Sequence, residues 1–135
     1  MRIGVKAVVY IDTNIIVYLL EGTDDFGQKV AAKLTALQDA GRGLVTSSIT
    51  ITEFLAGTPD NTAFSSLEAM PGLSFIDVTK NIALRAAELQ RLHKLTIGDA
   101  IHLASCLEYQ CKSLFTNDVK LSNTAKGYVE VLGLS

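Results

Sequence analysis

The feature that most limits the possible folds is an apolar run near the start of the sequence that ends at an acidic residue. Residues 7–11 read Ala-Val-Val-Tyr-Ile, which is typical of a strand covered on both faces, as in a parallel sheet. The run stops at Asp12, and a second apolar run from Ile15 to Leu20 predicts a helix that ends at Gly22. Ligands bind where the strands of open α/β sheets end, so Asp12 is a candidate site residue. The alternative is that its carboxylate only caps the helix.

The rest of the chain alternates between predicted strands and helices. Apolar positions at helical spacing, such as Ile82, Ala86, Leu89 and Leu92, predict buried helix faces. Further strands are predicted at residues 44–46, 73–78, 113–116 and 128–132. Helices are predicted from residue 24 to the stop at Gly41, from residue 49 to the stop at Gly57, over 61–70, after the cap at Thr79, and from residues 96–99 to about 108. This alternation predicts a single α/β domain over residues 1–135, with a mostly parallel sheet in three layers.

The charge of the chain is distributed unevenly. The net charge is −2, which argues against a general affinity for nucleic acid. Residues 1–79 carry 5 basic and 9 acidic side chains, whereas residues 80–126 carry 7 basic and 4 acidic ones. This asymmetry permits a basic rim beside an acidic site, although each cation also fits an ordinary solvated helix face.

Composition indicates a cytoplasmic protein without a membrane anchor. No stretch approaches the roughly 20 apolar residues of a membrane span, and the first apolar run is too short for a signal peptide. The two cysteines, Cys106 and Cys111, are spaced unlike a zinc site or a redox motif. We therefore expect reduced thiols, with Cys106 packed in a helix.

Four acidic residues stand where the predicted strands end or the predicted helices begin: Asp12, Glu53, Asp99 and Asp118. A cluster of carboxylates suits hard divalent cations with oxygen ligands, chiefly Mg²⁺ or Mn²⁺. Two such ions roughly 4 Å apart can assist an in-line displacement at a phosphodiester. Four further residues would orient the carboxylates by hydrogen bonds: Thr13, Asn14, Thr116 and Asn117.

Each acid also has a local structural explanation. Thr50-x-x-Glu53 and Thr96-x-x-Asp99 have the spacing of capping boxes, and Asn117-Asp118 is an ordinary turn pair. His102 follows three residues after Asp99 on the same helix face, so it could touch the site. For this histidine we favour a packed or hydrogen-bonded position at the edge of the core.

Several other chemistries fit the sequence poorly. The chain has no GxGxxG, no P-loop and no Gly-x-Ser-x-Gly elbow. A haloacid-dehalogenase-like phosphatase would need an aspartate two residues after Asp12, where Asn14 stands. Only two histidines are present, so a histidine zinc site is not favoured.

Four segments together resemble the PIN-domain ribonucleases. They are YIDTN at residues 10–14, the Thr50-x-x-Glu53 pair, LTIGDAIHLAS at residues 95–105, and FTND at residues 115–118. The resemblance covers nearly the whole chain in the expected order and is strongest to the stand-alone VapC-like toxins of prokaryotic toxin–antitoxin pairs. Asn117 is a mild departure, because family members more often carry another residue between the threonine and the aspartate.

This resemblance implies a three-layer α/β/α domain with about five strands in the order 3-2-1-4-5. It also implies Mg²⁺- or Mn²⁺-dependent endoribonuclease activity, in which a metal-activated water cleaves RNA. The implied catalytic and metal-binding residues are Asp12, Glu53, Asp99 and Asp118, with Asn14 and Thr116 in support. The cations that would contact RNA are Arg85, Arg91, Lys94 and Lys120.

The resemblance further implies two protein partners, a cognate antitoxin and a second copy of the chain. The consecutive apolar residues 15–20 exceed what one buried stripe needs, so this first helix is either fully buried or covered by another chain. An antitoxin segment would dock near the first four helices and reach the carboxylates with an arginine. Two alternatives stay open: a housekeeping RNA-processing PIN nuclease, and a non-catalytic PIN-like RNA-binding or scaffold module.

Overall fold

A computed structural model describes residues 6–22, 25–58, 60 and 62–134 of the chain. Over these residues, strands and helices alternate as the sequence predicts, except that the helix over residues 119–125 was not predicted. The strands are β1 (Lys6–Ile11), β2 (Gly43–Ser47), β3 (Leu73–Ile76), β4 (Cys111–Phe115) and β5 (Glu130–Leu132). The helices are α1 (Thr13–Glu21), α2 (Asp25–Asp39), α3 (Ile49–Ala56), α4 (Ala63–Glu68), α5 (Lys80–His93), α6 (Ile97–Glu108) and α7 (Val119–Ala125).

The five strands form one parallel sheet in the order β3-β2-β1-β4-β5, which confirms the predicted fold and strand order. The apolar run of β1 makes it the central strand, with Val9 opposite Leu44 of β2 and Ile11 opposite Phe115 of β4. The chain builds the sheet outward from β1 in one direction and then crosses to its other side with β4. The ends of β1 and β4 therefore lie side by side at the topological switch point, where α/β sheets bind ligands.

Side chains of β1 alternate between two hydrophobic layers, as a strand covered on both faces requires. Tyr10 belongs to the layer formed with α5, α6 and α7, which includes Leu89 and Leu103. Val9 and Ile11 belong to the opposite layer, formed with α1 to α4. The sheet is thus the middle of a three-layer α/β/α sandwich.

Some predicted boundaries and one predicted face were wrong. Helix α4 and strands β3 and β5 are shorter than predicted, and Asn61, the predicted start of α4, lies outside the described residues. Leu92 is 66% exposed instead of buried with Ile82 and Leu89. A helix turns about 100° per residue, so Leu92 lies about 80° away from Ile82 around the axis, off the buried stripe.

Two expectations about the environment of the chain can be compared with the described residues. No helix in the described part of the chain is long and apolar enough to cross a membrane. Cys106, in α6, and Cys111, at the start of β4, are both buried, and the two are not joined in a disulfide.

Candidate metal and active site

Asp12 lies directly after β1, at the edge where the parallel strands end (the carboxyl edge). Its N–H donates to Phe115 O at 3.0 Å, which ties the end of β1 to the end of β4. Asp12 occupies the N-cap position of α1, but its carboxylate makes no capping hydrogen bond. Instead, Asp12 Oδ2 accepts a hydrogen bond of 2.7 Å from Thr116 Oγ1. The capping explanation of this side chain is therefore wrong, and a buried carboxylate faces the neighbouring strand end.

Glu53 reaches the same edge from α3. Its Oε1 atom accepts hydrogen bonds from Thr13 Oγ1 at 2.6 Å and from His102 Nε2 at 2.7 Å. The predicted capping box is wrong here, because α3 begins after Ser48 and the hydroxyl of Thr50 lies 2.9 Å from that of Thr13. Glu53 is thus held by tertiary contacts and not by its own helix.

Asp99 and Asp118 come from the first turns of two other elements. Asp99 is the third residue of α6, and its N–H donates to the capping Thr96 Oγ1 at 3.2 Å. Asp118 caps α7, because its carboxylate accepts a hydrogen bond of 2.8 Å from Leu121 N. This acid therefore has a structural role, whether or not it also binds a metal ion. The N–H of Asp118 donates to Thr116 Oγ1, and the Thr116 hydroxyl therefore links Asp118 to the carboxylate across the β1–β4 switch point.

The four carboxyl groups form one electrostatic unit. Partial burial, followed by the negative charges of Asp118, Asp12 and Glu53, raises the pKa of Asp99 to about 6. The charge of His102 opposes this rise but does not cancel it, so negative charge is in excess around Asp99. Asp99 is thus near enough to the other three acids that the sequence singled out for their charges to affect its pKa.

The pKa values of Asp12 and Glu53 are shifted in opposite directions by their surroundings. Burial raises the pKa of Asp12, against the opposing effects of His102 and of the Thr116 hydrogen bond. Burial would also raise the pKa of Glu53, but hydrogen bonds from His102 and Thr13 outweigh it and lower that pKa. Glu53 is therefore the acid whose ionised form the protein stabilises most directly.

His102 is buried beneath this cluster, with 1% of its surface exposed. Its Nδ1 atom lies 2.7 Å from Tyr10 Oη, and its Nε2 atom, which contacts Glu53, is also 3.6 Å from Asp12 Oδ1. Burial alone would lower the pKa of His102, but the hydrogen bond to Glu53 and the surrounding carboxylates raise it overall. The histidine is thus hydrogen-bonded at the core, as we favoured, and it also touches the site.

A buried layer of hydroxyl groups below the acids was not predicted. Thr46 Oγ1 donates to Ile11 O at 2.8 Å and lies 2.7 Å from Thr50 Oγ1, which in turn contacts the Thr13 hydroxyl. The only sequence signal for this layer is a polar residue inside an otherwise apolar strand, and such residues are common in sheets. These contacts satisfy the polar groups beneath the acids and fix their position.

The predicted supporting residues fall into two groups. Thr13 and Thr116 donate hydrogen bonds to Glu53 and Asp12, as their predicted role requires. Asn14 and Asn117 are exposed, and within the described residues neither side chain hydrogen-bonds to a carboxylate. A supporting role for the two asparagines stays a prediction.

The predicted RNA-contacting cations do not lie together. Lys120 Nζ donates to Lys94 O at 2.9 Å, which brings these two residues together at the start of α7, next to Asp118. Arg91, also exposed, lies in the last turn of α5. Arg85 forms an ion pair of 2.8 Å with Glu108. Its partner Glu108 is nine residues after Asp99, or about 13 Å further along α6, toward the opposite end of the sheet.

The chemistry of the donor set fits a hard divalent cation. The four acids offer carboxylate oxygens only, which are the ligands that Mg²⁺ and Mn²⁺ prefer. Within the described residues, no three acidic, histidine or cysteine side chains are already close enough around one point to hold an ion. Carboxylate rotations would have to bring the oxygens together when an ion binds.

The fold and the site define a class of protein: a three-layer α/β/α domain with an acidic site at the switch point of a parallel sheet. Residues 9–127 match the PIN domain family, and the chain therefore belongs to that family. This confirms the family that the four sequence segments indicate. No curated protein matches the chain by sequence.

Solved structures with the same fold include components of toxin–antitoxin systems. A chain of VapBC2 from Rickettsia felis, bound to a DNA fragment from the promoter, is 18% identical, with a TM-score of 0.74 over 93% of this chain and 98% of that one. A chain of a toxin–antitoxin complex from Klebsiella pneumoniae is 23% identical, with a TM-score of 0.72 over 94% and 98%. Mycobacterium tuberculosis VapC20, a sarcin–ricin loop cleaving toxin, is 19% identical, with a TM-score of 0.68 over 91% and 98%. At these identities the likeness concerns the fold.

Proposed function

We propose that this protein is a Mg²⁺- or Mn²⁺-dependent endoribonuclease and the toxin of a toxin–antitoxin pair. The observation that carries the proposal is the meeting of four carboxyl groups from four different elements at the switch point of the sheet. Local helix capping explains the position of Asp118 but not that of Asp12, which makes no capping hydrogen bond, or of Glu53, which is held by residues of other elements. The raised pKa of Asp99 supports a site that receives a cation.

Asp12, Glu53, Asp99 and Asp118 would hold the ion in this proposal. When bound, the ion would supply an activated water and offset the charge of the phosphodiester. The protein's own contribution is orientation: the Thr116 hydroxyl directs the carboxylate of Asp12, and the Thr13 hydroxyl directs that of Glu53. Lys94 and Lys120 lie where they could contact the phosphates of an RNA strand entering beside Asp118.

The solved relatives support the substrate and the biological role. VapC20 is described as cleaving the sarcin–ricin loop, which is RNA, and the two other relatives are parts of toxin–antitoxin assemblies. By analogy, this chain would cut RNA in the cytoplasm and be restrained by an antitoxin. The analogy concerns the fold and the class of function.

The first helix offers a surface for the proposed antitoxin. Ile15 and Ile16 are fully buried, but the rest of the apolar run, residues 17–20, is only partly buried. Leu19 also lines an apolar cleft between α1, α2 and the end of α4, together with Leu34 and Met70. An amphipathic antitoxin segment could lay its apolar face in this cleft and extend an arginine toward the carboxylates.

An RNA cleavage assay on the purified protein tests the nuclease proposal. We expect single-stranded RNA to be cut with Mg²⁺ or Mn²⁺ and to stay intact with EDTA. Metal-independent cleavage would contradict the metal role, and no cleavage of any RNA would favour the non-catalytic scaffold. Expression in a bacterial host then separates toxin from housekeeping nuclease, because a toxin arrests growth when its antitoxin is absent.

Size-exclusion chromatography with light scattering tests the proposed homodimer. A native pull-down from the source cell tests the antitoxin, which we expect to be a small protein encoded by a short neighbouring gene. A strictly monomeric protein at micromolar concentration, with no small protein bound, would contradict both parts of this proposal.

A further inference from the structure

The two oxygens of the Glu53 carboxylate have different surroundings. Within the described residues, its side-chain hydrogen bonds all end on Oε1, which Thr13 Oγ1 and His102 Nε2 approach at 2.6 and 2.7 Å. Oε2 lies against the backbone of Gly98, in the first turn of α6. The side chain of Glu53 is 36% exposed, so one oxygen is engaged with the protein while the carboxylate still reaches solvent.

His102 is itself held in one orientation. The ring is almost completely buried, its Nδ1 atom is 2.7 Å from Tyr10 Oη, and its edge packs against the Tyr10 ring. Because a carboxylate only accepts hydrogen bonds, Nε2 carries the hydrogen and donates it to Glu53. The hydroxyl of Tyr10 on β1 thus helps to hold the His102 ring in the orientation in which Nε2 contacts Glu53.

Gly98 leaves the space in which Oε2 lies. A Cβ atom built on Gly98 would collide with Oε2 of Glu53. Only φ values in the left-handed region demand glycine for the backbone, and Gly98 is not among the glycines with a positive φ. Glycine at this position therefore serves the neighbouring carboxylate and not the local backbone.

We propose that His102 and Gly98 are positioning residues for Glu53: His102 fixes Oε1, and Gly98 leaves room for Oε2 beside Asp99, so that Oε2 is the oxygen presented to a metal ion. This inference rests on the proposed metal-dependent function. Neither residue would touch the ion or the RNA, and both would act through Glu53. Metal binding by the four acids would then depend on a histidine and a glycine that are not themselves metal ligands.

Gly98→Ala tests the space, with Gly57→Ala as its matched control. Gly57 caps α3, the helix that carries Glu53, and a Cβ there would meet its nearest atoms at 3.8 Å, an ordinary contact. We expect Gly98→Ala to weaken Mn²⁺ binding at least tenfold in calorimetry while its melting midpoint in EDTA is not lower than that of wild type. Gly57→Ala should bind Mn²⁺ as wild type does. Equal Mn²⁺ affinity in the two variants would overturn the role of Gly98.

His102→Leu and His102→Gln test the hydrogen bond. Leucine removes the donor, whereas the glutamine amide can still donate from a similar distance. We expect His102→Leu to bind Mn²⁺ at least tenfold more weakly than His102→Gln, measured on samples whose melts show that they are folded. Equal affinities in the two folded variants would overturn the role of His102. Should His102→Leu not fold, His102→Asn, whose shorter side chain cannot reach Glu53 Oε1, replaces it in the same comparison with His102→Gln.

A crystal structure of Gly98→Ala gives a readout that needs neither metal nor RNA. A Glu53 carboxylate displaced from His102 supports the inference, and one that stays in place overturns it. A wild-type protein that binds no Mn²⁺ and cuts no RNA would refute the proposed function. In that case the crystal structure still decides whether Gly98 positions Glu53.

Discussion

The two sides of the acidic site are built differently. On the side of β1 and α3, Asp12 and Glu53 receive hydrogen bonds from threonine hydroxyls, and Glu53 also receives one from His102. On the side of α6 and α7, Asp99 has no comparable donor to its carboxylate within the described residues, and burial with nearby negative charge raises its pKa to about 6. The first side is held by hydrogen bonds from distant residues, whereas on the second side Asp118 accepts a hydrogen bond from Leu121 N of its own helix. The second side is where a cation would relieve the most repulsion.

The largest expected effect comes from removing any one carboxylate. If both sides serve one metal unit, Asp12→Asn and Asp99→Asn should each lower the cleavage rate by roughly a hundredfold or more, and so should Glu53→Gln and Asp118→Asn. The double variant Asp12→Asn with Asp99→Asn should be little worse than either single one, because residues that act as a unit give non-additive losses.

An RNA cleavage assay with circular dichroism as the folding check measures these rates. The exposed Asp39, at the end of α2, provides a matched control, and Asp39→Asn should cleave as wild type does. A fully active Asp12→Asn protein would show that the two sides do not form one metal unit.

Metal binding should stabilise the whole fold by joining the two sides. An ion at 100 times its Kd that binds only the folded protein adds about 2.7 kcal/mol of stability, or about 10 °C in Tm for a domain of this size. Thermal melts with EDTA and with saturating Mn²⁺ measure the shift. Asp118→Asn, which removes one oxygen donor, should show a clearly smaller shift, and identical midpoints for wild type in the two conditions would contradict a metal site.

Without metal, replacing an acid by its amide should change the free energy of unfolding in opposite directions on the two sides. Asp99→Asn should raise the free energy of unfolding at pH 7.5 by about 1 kcal/mol, since the shift of a half-buried group must be discounted for solvent screening. Glu53→Gln should lower it by up to about 1 kcal/mol, because the ionised carboxylate is the better acceptor for His102 and Thr13. Chemical denaturation in EDTA measures both changes.

The pH dependence of these two variants follows from the direction of each pKa shift. Asp99 has a raised pKa in the folded protein, so its ionisation destabilises the fold as the pH rises from about 4 to about 6. The advantage of Asp99→Asn should therefore vanish below about pH 4. Glu53 has a lowered pKa, so its contribution is present above its ordinary pKa and is lost as the pH falls below it. Parallel pH profiles for the two variants would contradict the difference between the sides.

The smallest expected effect concerns the basic residues. Lys94→Gln and Lys120→Gln, next to the α6–α7 side, should each raise KM for RNA about two- to fivefold with little change in kcat, because each removes one phosphate contact. Arg85→Gln should change KM less, since Arg85 already pairs with Glu108 away from the acids. Steady-state cleavage at two salt concentrations measures these changes in KM. A larger effect at Arg85 would indicate that RNA binds near the opposite end of α6.

The sequence by itself determined most of the elements and the order of the acids, but it did not indicate the short helix α7 between β4 and β5. The apolar run of β1, the helix stop at Gly22 and the cap at Thr79 are local signals, and all three are found in the structure. Resemblance to a family supplied the strand order, and that order placed Asp12 beside Asp118. Capping motifs were less dependable, because Thr50-x-x-Glu53 has the right spacing but its side chains bond to other elements.

Only the tertiary structure decided how the carboxylates are held. The contacts from Thr116 to Asp12 and from His102 to Glu53 join residues 104 and 49 positions apart, and no local pattern encodes such pairs. The raised pKa of Asp99 likewise comes from burial and from charges brought by distant segments. Periodicity reports which face of an element is apolar, whereas the direction of a hydrogen bond depends on the packing of several elements around one buried side chain.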